Sequence, residues 1–162
     1  SGHADEIDMV FDYISLMDGK ISECQYRVEF AKGILNRVNN VRAKSNQTKA
    51  LLKVILESAI LNPEEIKTAC QICEQAGVDF VKTSTGFKGN ATEEALKVMK
   101  SNFSRGIKIS GGVNASNVYS MLQAASGRDD GSIELDPIKI RIGESSLLDG
   151  LIFEEYKKRN HP

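Results

Sequence analysis

A lysine stands at the end of an apolar run in residues 78–87, whose sequence is VDFVKTSTGF. Two apolar residues precede Lys82, and two threonines, a serine and Gly86 follow it. Burying an ammonium group costs several kcal/mol unless it loses its proton or finds partners. A chain that places lysine here can therefore use it as a neutral amine, which is a nucleophile. The alternative is a side chain that keeps its stem on apolar surface and its charge in water, and this stretch alone supports both interpretations equally.

Three more ionisable residues lie late in predicted strands: Asp8 in EIDMVF, Lys53 in LLKVIL and Lys108 in GIKIS. Because the carboxyl ends of parallel strands form the ligand site of an α/β fold, we expect these residues to converge with Lys82. Two partly desolvated lysines within about 4–6 Å lower each other's pKa from about 10.4, and one of them then becomes nucleophilic near neutral pH. Asp8 could carry protons or position a water. This is the chemistry of Schiff-base formation with an aldehyde or ketone.

Glycine and serine residues follow three of the predicted strands, where backbone amides and helix N-termini can hold a phosphate. Each of them alone is more simply a turn between a strand and a helix. In parallel barrels, however, a phosphate site is often built from the loops after the last two strands. The candidate residues are Gly86, Gly111, Gly112, Gly143, Ser145 and Ser146.

Strand and helix patterns alternate along the whole chain, which predicts a single α/β domain with a parallel sheet. The predicted strands lie in residues 4–13, 51–56, 78–87, 106–110 and 138–142. The helices between them begin at a capping box of Ser22 and Gln25, at Asn62 with Pro63, near residue 92 and before Val118. A last helix follows Ser146 and contains Leu148, Leu151 and Ile152. A polar loop is expected at residues 128–136.

Composition narrows the class of protein. The 162 residues include 41% apolar and 27% charged residues, enough for one core, and the formal net charge of −1 argues against a nucleic-acid binder. No apolar run approaches the roughly 18 residues of a membrane span. Three cysteines make no disulfide framework and indicate a reducing compartment, so we expect the cytoplasm. We interpret Cys70 and Cys73 as core residues of a helix rather than as a zinc or redox pair, and residues 1–3 as a tag remnant.

Five stretches, taken together and in order, resemble the deoxyribose-phosphate aldolase family: DEIDMVF, LLKVILE, VDFVKTSTGF, KISGGV and IGESSLL. The resemblance covers residues 4–151. It implies a TIM (β/α)8 barrel and a class I aldolase that needs no metal or other cofactor. Such an enzyme cleaves 2-deoxy-D-ribose 5-phosphate reversibly to glyceraldehyde 3-phosphate and acetaldehyde, in the catabolism of deoxyribonucleotides.

The resemblance also implies roles for individual residues. Lys82 matches the Schiff-base lysine, Lys108 the second lysine that tunes it, and Asp8 the acid of the proton relay. Lys53 matches a further lysine of the active site. The phosphate-binding positions fall on Gly86, Gly111, Gly112, Ser145 and Ser146.

The sequence departs from the family pattern at several positions. Asn114 stands after Gly-Gly-Val, where the family usually has arginine, and this weakens the expected grip on phosphate. Glu144 occupies a place that is usually small, and its carboxylate would repel a phosphate unless it points away. The C-terminal tyrosine of some members is absent, and Tyr156 is better explained as a packing residue.

Length is the largest departure, because a complete barrel has eight units and about 250 residues. Only five units match here, beginning at the family's fourth strand, so we expect residues 4–162 to be the C-terminal part of one barrel domain. Five strands cannot close a barrel, and the open edge should be covered by the missing N-terminal part or by self-association. The alternative to an active enzyme is a non-catalytic, aldolase-like fragment or scaffold that binds a phosphosugar or a protein partner.

Overall fold

The computed structural model describes residues 4–143 together with Leu147, Gly150 and Glu155. The predicted tag remnant at residues 1–3, the departure at Glu144, the candidates Ser145 and Ser146, and the residues on which the last helix was predicted therefore lie outside the described residues. The strands are β1 (Glu6–Val10), β2 (Leu51–Ile55), β3 (Phe80–Lys82), β4 (Gly106–Ser110) and β5 (Ile140–Gly143). The helices are α1 (Tyr13–Met17), α2 (Ile21–Lys44), α3 (Pro63–Ala76), α4 (Glu93–Asn102) and α5 (Val118–Ser126), with a short 3-10 helix at Ser58–Ile60.

The five strands form one sheet in chain order, and every neighbouring pair is parallel. This confirms the predicted α/β fold and parallel sheet. In a flat sheet the first and last strands would lie about 19 Å apart, four spacings of about 4.8 Å. Arg141 on β5 nevertheless forms an ion pair with Glu6 on β1. The sheet is therefore curved, with these two side chains on its inner face, as in part of a barrel.

The two faces of each strand differ, because successive side chains of a strand point to opposite sides. Leu52 and Val54 of β2, and Ile107 and Ile109 of β4, are buried in the apolar core against the helices. Lys53 and Lys108 alternate with them and point to the inner face. The outer face is packed by buried helical residues such as Val28, Leu35, Ile66, Ala69, Leu96, Met99 and Ala125.

The predicted start of α3 is confirmed. The Asn62 side chain accepts a hydrogen bond from the Glu65 amide at 3.0 Å, and the Glu65 carboxylate accepts one from the Asn62 amide at 2.8 Å. Pro63 is the first helical residue, and the helix ends at Gly77, whose φ of 74° suits glycine. The predicted N-terminus of α4 is also correct, since the Thr92 hydroxyl accepts from the Ala95 amide at 3.1 Å.

The predicted capping box of Ser22 and Gln25 is wrong. Helix α2 begins at Ile21, two residues earlier than a Ser22 cap requires, Lys20 is its capping residue, and the cap has no side-chain hydrogen bond. The Gln25 amide instead donates to Glu29 at 2.8 Å, along the helix. The sequence interpretation missed α1, which is capped by Asp12, and the turn after it brings the chain into α2 early.

The fifth strand begins later than predicted, at Ile140 instead of Ile138. The Asp136 carbonyl accepts hydrogen bonds from the amides of Lys139 and Ile140, so residues 136–140 form a turn. The residues before it, 128–136, lie outside helices and strands, as predicted. Within the described part of the chain, none of the helices has the length and apolar character needed to cross a membrane.

Candidate active site

Charged side chains meet on the inner face of the curved sheet. The Lys82 ammonium donates to Asp8 Oδ2 at 2.9 Å, and the Lys53 ammonium lies 3.3 Å from Asp8 Oδ1. Lys53 also pairs with Glu6, which in turn pairs with Arg141. Cations and carboxylates thus alternate along one series of ion pairs, which runs from Arg141 on β5 through Glu6, Lys53 and Asp8 to Lys82 on β3. The structure brings three sequence-predicted site residues, Asp8, Lys53 and Lys82, into direct contact.

Lys53 is the most enclosed member of this cluster, with 3% of its surface exposed. A buried ammonium is tolerated only when it is paired, and Lys53 meets this condition through two carboxylates, Glu6 and Asp8. The Arg141 guanidinium is held by Glu6 and by the Phe80 ring, whose centroid lies 4.5 Å away. Both cations are therefore fixed in place by specific contacts.

Lys108 lies directly opposite Lys82 in the register of β3 and β4. Burial lowers the pKa of its ammonium, and the positive charges of Lys53 and Lys82 lower it further, against weaker opposing effects of Asp8 and Glu6. In the described part of the chain, no carboxylate pairs with it directly. Its stem passes close to Gly143, where an added Cβ would lie 2.6 Å from Lys108 Cε. Glycine at that position therefore makes room for the lysine.

The two carboxylates have lowered pKa values. Hydrogen bonds from Lys53 and then Arg141 lower the pKa of Glu6 and outweigh the effect of burial. For Asp8, burial acts to raise the pKa, but the hydrogen bond and charge of Lys82, together with the charge of Lys53, lower it on balance. Both groups are ionised at neutral pH, so each can hold a cation or accept a proton.

The candidate glycines lie at the carboxyl ends of the strands, beside this cluster. Gly86 is exposed, with φ of 96°, and its amide donates to the Ser84 hydroxyl at 3.1 Å. A Cβ on Gly111 would lie 3.2 Å from Ser84 and 3.3 Å from the Gly89 carbonyl oxygen, and one on Gly112 would collide with Asn90. The loop after β3 therefore packs closely on the glycine pair after β4.

Asn114 organises the turn before α5. Its side-chain amide donates to the Gly112 carbonyl at 3.2 Å, and its Oδ1 accepts from the Ser116 amide at 2.9 Å. The Asn117 side chain donates to the same Gly112 carbonyl at 2.9 Å. Asn114 therefore shapes the loop through neutral hydrogen bonds, whereas an arginine at this position would bring a positive charge.

The cysteine pair on α3 packs in the core, as predicted. Cys70 and Cys73 are free and completely buried. Burial raises the pKa of the Cys70 thiol to about 12, and burial together with the neighbouring Cys70 raises that of Cys73 further above its usual range. Thiols held in the protonated form are poor nucleophiles and metal ligands.

Three charged residues of this region were not singled out in the sequence. Glu6 precedes Asp8 by two positions, and strand periodicity places the two acids on the same face, but Glu6 was not proposed as a site residue. Arg141 lies opposite Lys108 in the register of β4 and β5, which the sequence does not reveal. Glu57, at the end of LLKVILE, is 1% exposed and contacts the loop after Lys82. From the sequence alone, an acidic residue after an apolar run is expected to lie at the solvent-exposed end of a strand, so the pattern did not indicate a role for Glu57.

Chemically, the cluster combines amines with carboxylates that can exchange protons with them. Lys82 is an amine at the end of its strand, Asp8 is within hydrogen-bond reach of it, and Lys108 releases its proton more readily than an ordinary lysine. Such a set can form and hydrolyse an imine with a carbonyl compound.

Curated relatives carry a consistent name. The chain is 36% identical over 151 residues to deoxyribose-phosphate aldolase 1 of Vibrio vulnificus, which is 91% of this chain and 62% of that protein. It is 39% identical over 130 residues to the deoxyribose-phosphate aldolase of Kocuria rhizophila, which is 77% of this chain and 55% of that protein. The chain therefore spans somewhat more than half the length of these relatives.

Solved structures agree on the fold. The aldolase QR15 superimposes with a TM-score of 0.63 at 26% identity, over 94% of this chain and 61% of that one. The tetrameric deoxyribose-phosphate aldolase from Aeropyrum pernix gives a TM-score of 0.61 at 24% identity, over 96% of this chain and 56% of that one. The parallel sheet described above is thus a partial TIM barrel. A sequence profile of the DeoC/LacD family of aldolases matches residues 2–149, and the chain belongs to that family.

Proposed function

We propose that this chain carries the catalytic centre of a deoxyribose-phosphate aldolase that works through a Schiff base on Lys82. The observation that supports this most strongly is the contact of the Lys82 amine with Asp8, next to Lys108, on the inner face of the sheet. Lys82 attacks the C1 aldehyde of 2-deoxy-D-ribose 5-phosphate, and loss of water gives a protonated imine. The C3 hydroxyl then loses its proton, the C2–C3 bond breaks, and the electrons of that bond pass to the imine. Glyceraldehyde 3-phosphate leaves, C2 of the enamine takes a proton, and hydrolysis releases acetaldehyde.

Asp8 and Lys108 prepare the amine for this step. The ion pair of Lys82 with Asp8 must open before the amine can attack, and Asp8 is then free to move protons between water and the substrate. Lys108 has a lowered pKa because of its burial and the nearby Lys53 and Lys82, so it can give up its proton and then accept the one that Lys82 must lose. Lys53, which is almost completely buried and paired with Glu6 and Asp8, holds Asp8 in place.

The phosphate group is proposed to lie over the glycine loops. Gly86, Gly111 and Gly112 lie at the carboxyl ends of β3 and β4, with φ values of 96°, 94° and 74°. Because glycine has no side chain, a phosphate can approach their backbone closely. Ser145 and Ser146, by their resemblance to the family, complete this site. With Asn114 in place of the family's arginine, backbone amides and hydroxyls supply most of the grip.

The test is cleavage of 2-deoxy-D-ribose 5-phosphate, followed through the glyceraldehyde 3-phosphate released. We expect the chain to cleave the sugar and Lys82→Met to reduce the rate below detection. Lys67→Met is the matched control, because the Lys67 side chain on α3 is 43% exposed and pairs only with Glu64 on its own helix among the described residues. A folded chain without activity, or an active Lys82→Met variant, would contradict the proposal.

A second candidate is a non-catalytic scaffold that binds a phosphosugar or a protein partner. The observation in its favour is that the chain spans 62% or less of the relatives described above, so part of their length has no counterpart in it. The same assay separates the two functions, since a scaffold binds the sugar phosphate without cleaving it.

Association with another chain is part of the proposal. In the described part of the chain β1 pairs only with β2, so its other edge is free. Beside this edge, Tyr26, Phe30 and Ile34 of α2 are exposed and line a groove of about 630 Å³. We propose that further barrel units or a second copy of the chain cover this surface, which we name the open face. Free cysteines buried in the core fit a reducing compartment such as the cytoplasm.

A further inference from the structure

Glu57 is a buried carboxylate that the proposed reaction does not use. It directly follows the apolar run of β2, only 1% of its surface is exposed, and its φ of 57° lies in the left-handed region. Burying a charged group is costly unless it is hydrogen bonded, and a non-glycine residue in this conformation is uncommon. A residue that combines both features is held there by its surroundings, and such positions cluster at functional sites.

The carboxylate of Glu57 binds the loop that follows Lys82. It accepts hydrogen bonds from the Thr85 amide and, at 3.0 Å, from the Thr85 hydroxyl. The Thr85 hydroxyl oxygen in turn accepts from the Phe87 amide at 3.2 Å. Glu57 therefore fixes the centre of the segment formed by residues 83–89, which we name the Lys82 loop.

The beginning of the Lys82 loop is fixed by other contacts. Amides of Leu56 and Ser58 donate to the carbonyls of Lys82 and Thr83, both at 2.9 Å. The Thr83 hydroxyl donates to the Ser110 carbonyl on β4 at 2.7 Å. These bonds join the strands, whereas the exposed part of the loop with Gly86 receives its anchor from Glu57. This arrangement assigns Glu57 a task distinct from holding the sheet together.

We propose that Glu57 is a positioning residue: through Thr85 it holds the Lys82 loop in the shape that presents the exposed Gly86 to the phosphate of the phosphosugar. The inference rests on the proposed aldolase function, because it concerns the same site. A misplacement of about 1 Å in a substrate-holding loop can lower a rate about a hundredfold. Because Glu57 anchors the part of the loop that contains Gly86, loss of the anchor should act mostly on the binding of phosphorylated substrate.

Three variants separate anchoring from folding. Glu57→Gly keeps the left-handed backbone at no steric cost but removes the carboxylate. Glu57→Leu keeps the volume without an acceptor. Glu57→Gln can still accept from the Thr85 amide and donate to its hydroxyl, so it should restore the function. The control is Glu74→Leu, because Glu74 accepts from the Ser104 amide at 3.0 Å and from its hydroxyl at 2.8 Å, in the loop that leads into β4, at the opposite end of the strands from the Lys82 loop.

Hydrogen exchange of the Thr85 and Phe87 amides measures the anchor without any need for activity. We expect exchange about tenfold faster or more in Glu57→Gly and Glu57→Leu, because the buried Thr85 amide loses its acceptor. Glu57→Gln should stay within about threefold of the wild type, and Glu74→Leu should leave both amides unchanged. Unchanged exchange in folded Glu57→Gly would overturn the anchor.

Kinetics test the link to substrate. In Glu57→Gly we expect KM for 2-deoxy-D-ribose 5-phosphate to rise about tenfold or more, with a smaller change for unphosphorylated 2-deoxyribose. Equal losses for both sugars, or the same loss in Glu74→Leu, would overturn the positioning role. If the wild-type chain forms no imine at Lys82, the proposed function and this catalytic role both fail, and the exchange experiment still decides whether the anchor exists.

Discussion

The inner face of the sheet holds more positive than negative side chains. Among the described residues, four cations surround two carboxylates, and burial makes their mutual interactions stronger than they would be in water. An excess of positive charge of this kind favours the binding of an anionic group such as a phosphate. Because Lys53, Lys82 and Arg141 have carboxylate partners, the unfavourable interaction concentrates on Lys108, whose pKa is lowered. The cations are Lys53, Lys82, Lys108 and Arg141, and the carboxylates are Glu6 and Asp8.

The lowered pKa of Lys108 predicts a pH-dependent stability. Between its folded pKa and the ordinary value of 10.5, the unfolded chain binds more protons at this site, so the fold gains stability as the pH rises through that window. Below the window the charged ammonium opposes folding. Lys108→Met removes this cost, which we expect to be about 0.5 kcal/mol or less because the group is partly exposed to solvent.

Urea unfolding of the wild type and Lys108→Met from pH 7 to pH 11 measures this effect. The free energy of unfolding of the variant, relative to the wild type, should be highest near pH 7 and should fall as the pH approaches and passes about 10.5. A constant difference over that range would mean that Lys108 has an ordinary pKa in the folded chain.

The sequence predicted the meeting of Asp8, Lys53 and Lys82 because all three lie near the ends of parallel strands. It could not say which lysine has a lowered pKa, since that depends on which side chains reach a carboxylate. Lys32 illustrates the same limit. It is buried on α2 and pairs with Asp79 at 2.5 Å, so it is a structural lysine that no strand pattern indicated.

Among the helices, two of the predicted N-termini are correct and one is wrong. Asn62 was predicted as a capping residue and makes the expected hydrogen bond, and Thr92, near which a helix was predicted to begin, caps α4. Ser22 has the right spacing to Gln25, but it lies inside α2 because α1 and its turn determine where that helix begins. A short preceding helix is a contact between neighbouring elements, which a local motif does not encode.

This difference predicts two alanine substitutions with unequal costs. Asn62→Ala removes the acceptor for the Glu65 amide and breaks the capping box, so we expect a loss of about 1 kcal/mol in the free energy of unfolding. Ser22→Ala, which removes no cap, should stay within about 0.5 kcal/mol of the wild type. Urea denaturation at pH 7 compares them, and equal losses would contradict the assignment of the two helix starts.

Helix α2 also has two apolar faces, and only one of them packs against the sheet. Cys24, Val28 and Leu35 follow helical spacing and are buried against the sheet, whereas Val38, which continues the same spacing, is exposed. The second face contains Tyr26 and Phe30, whose rings stack at 5.9 Å, and it is exposed. A helix that is apolar on two sides is typical of an element packed between others.

For the molecule as a whole, the second face of α2 and the free edge of β1 lie side by side and form the open face. The resemblance to complete barrels predicted such a surface, because five units cannot close a cylinder. Its extent could not be derived from the sequence, since it depends on which side chains the other strands and helices leave uncovered. Large exposed apolar patches mark interaction surfaces or aggregation-prone regions.

A charge on the open face should reduce association of the chain. Phe30 is 59% exposed, so Phe30→Asp should change the free energy of unfolding by no more than about 0.5 kcal/mol while opposing burial of this surface. Sedimentation velocity at equal concentrations should show smaller species for the variant than for the wild type. Asn36→Asp adds the same charge at another exposed position of α2 and should have no such effect. A wild type that remains a monodisperse monomer at high concentration would contradict the association.

The central claim is that Lys82 is the amine that forms the imine. The most direct measurement is to add acetaldehyde to the folded chain, reduce with borohydride and locate the resulting ethyl group by peptide mass spectrometry. We predict the label on Lys82, its loss in Lys82→Met, and its retention in Lys67→Met. A folded chain that gains no label, or one labelled at Lys53 or Lys108 in place of Lys82, would contradict the account.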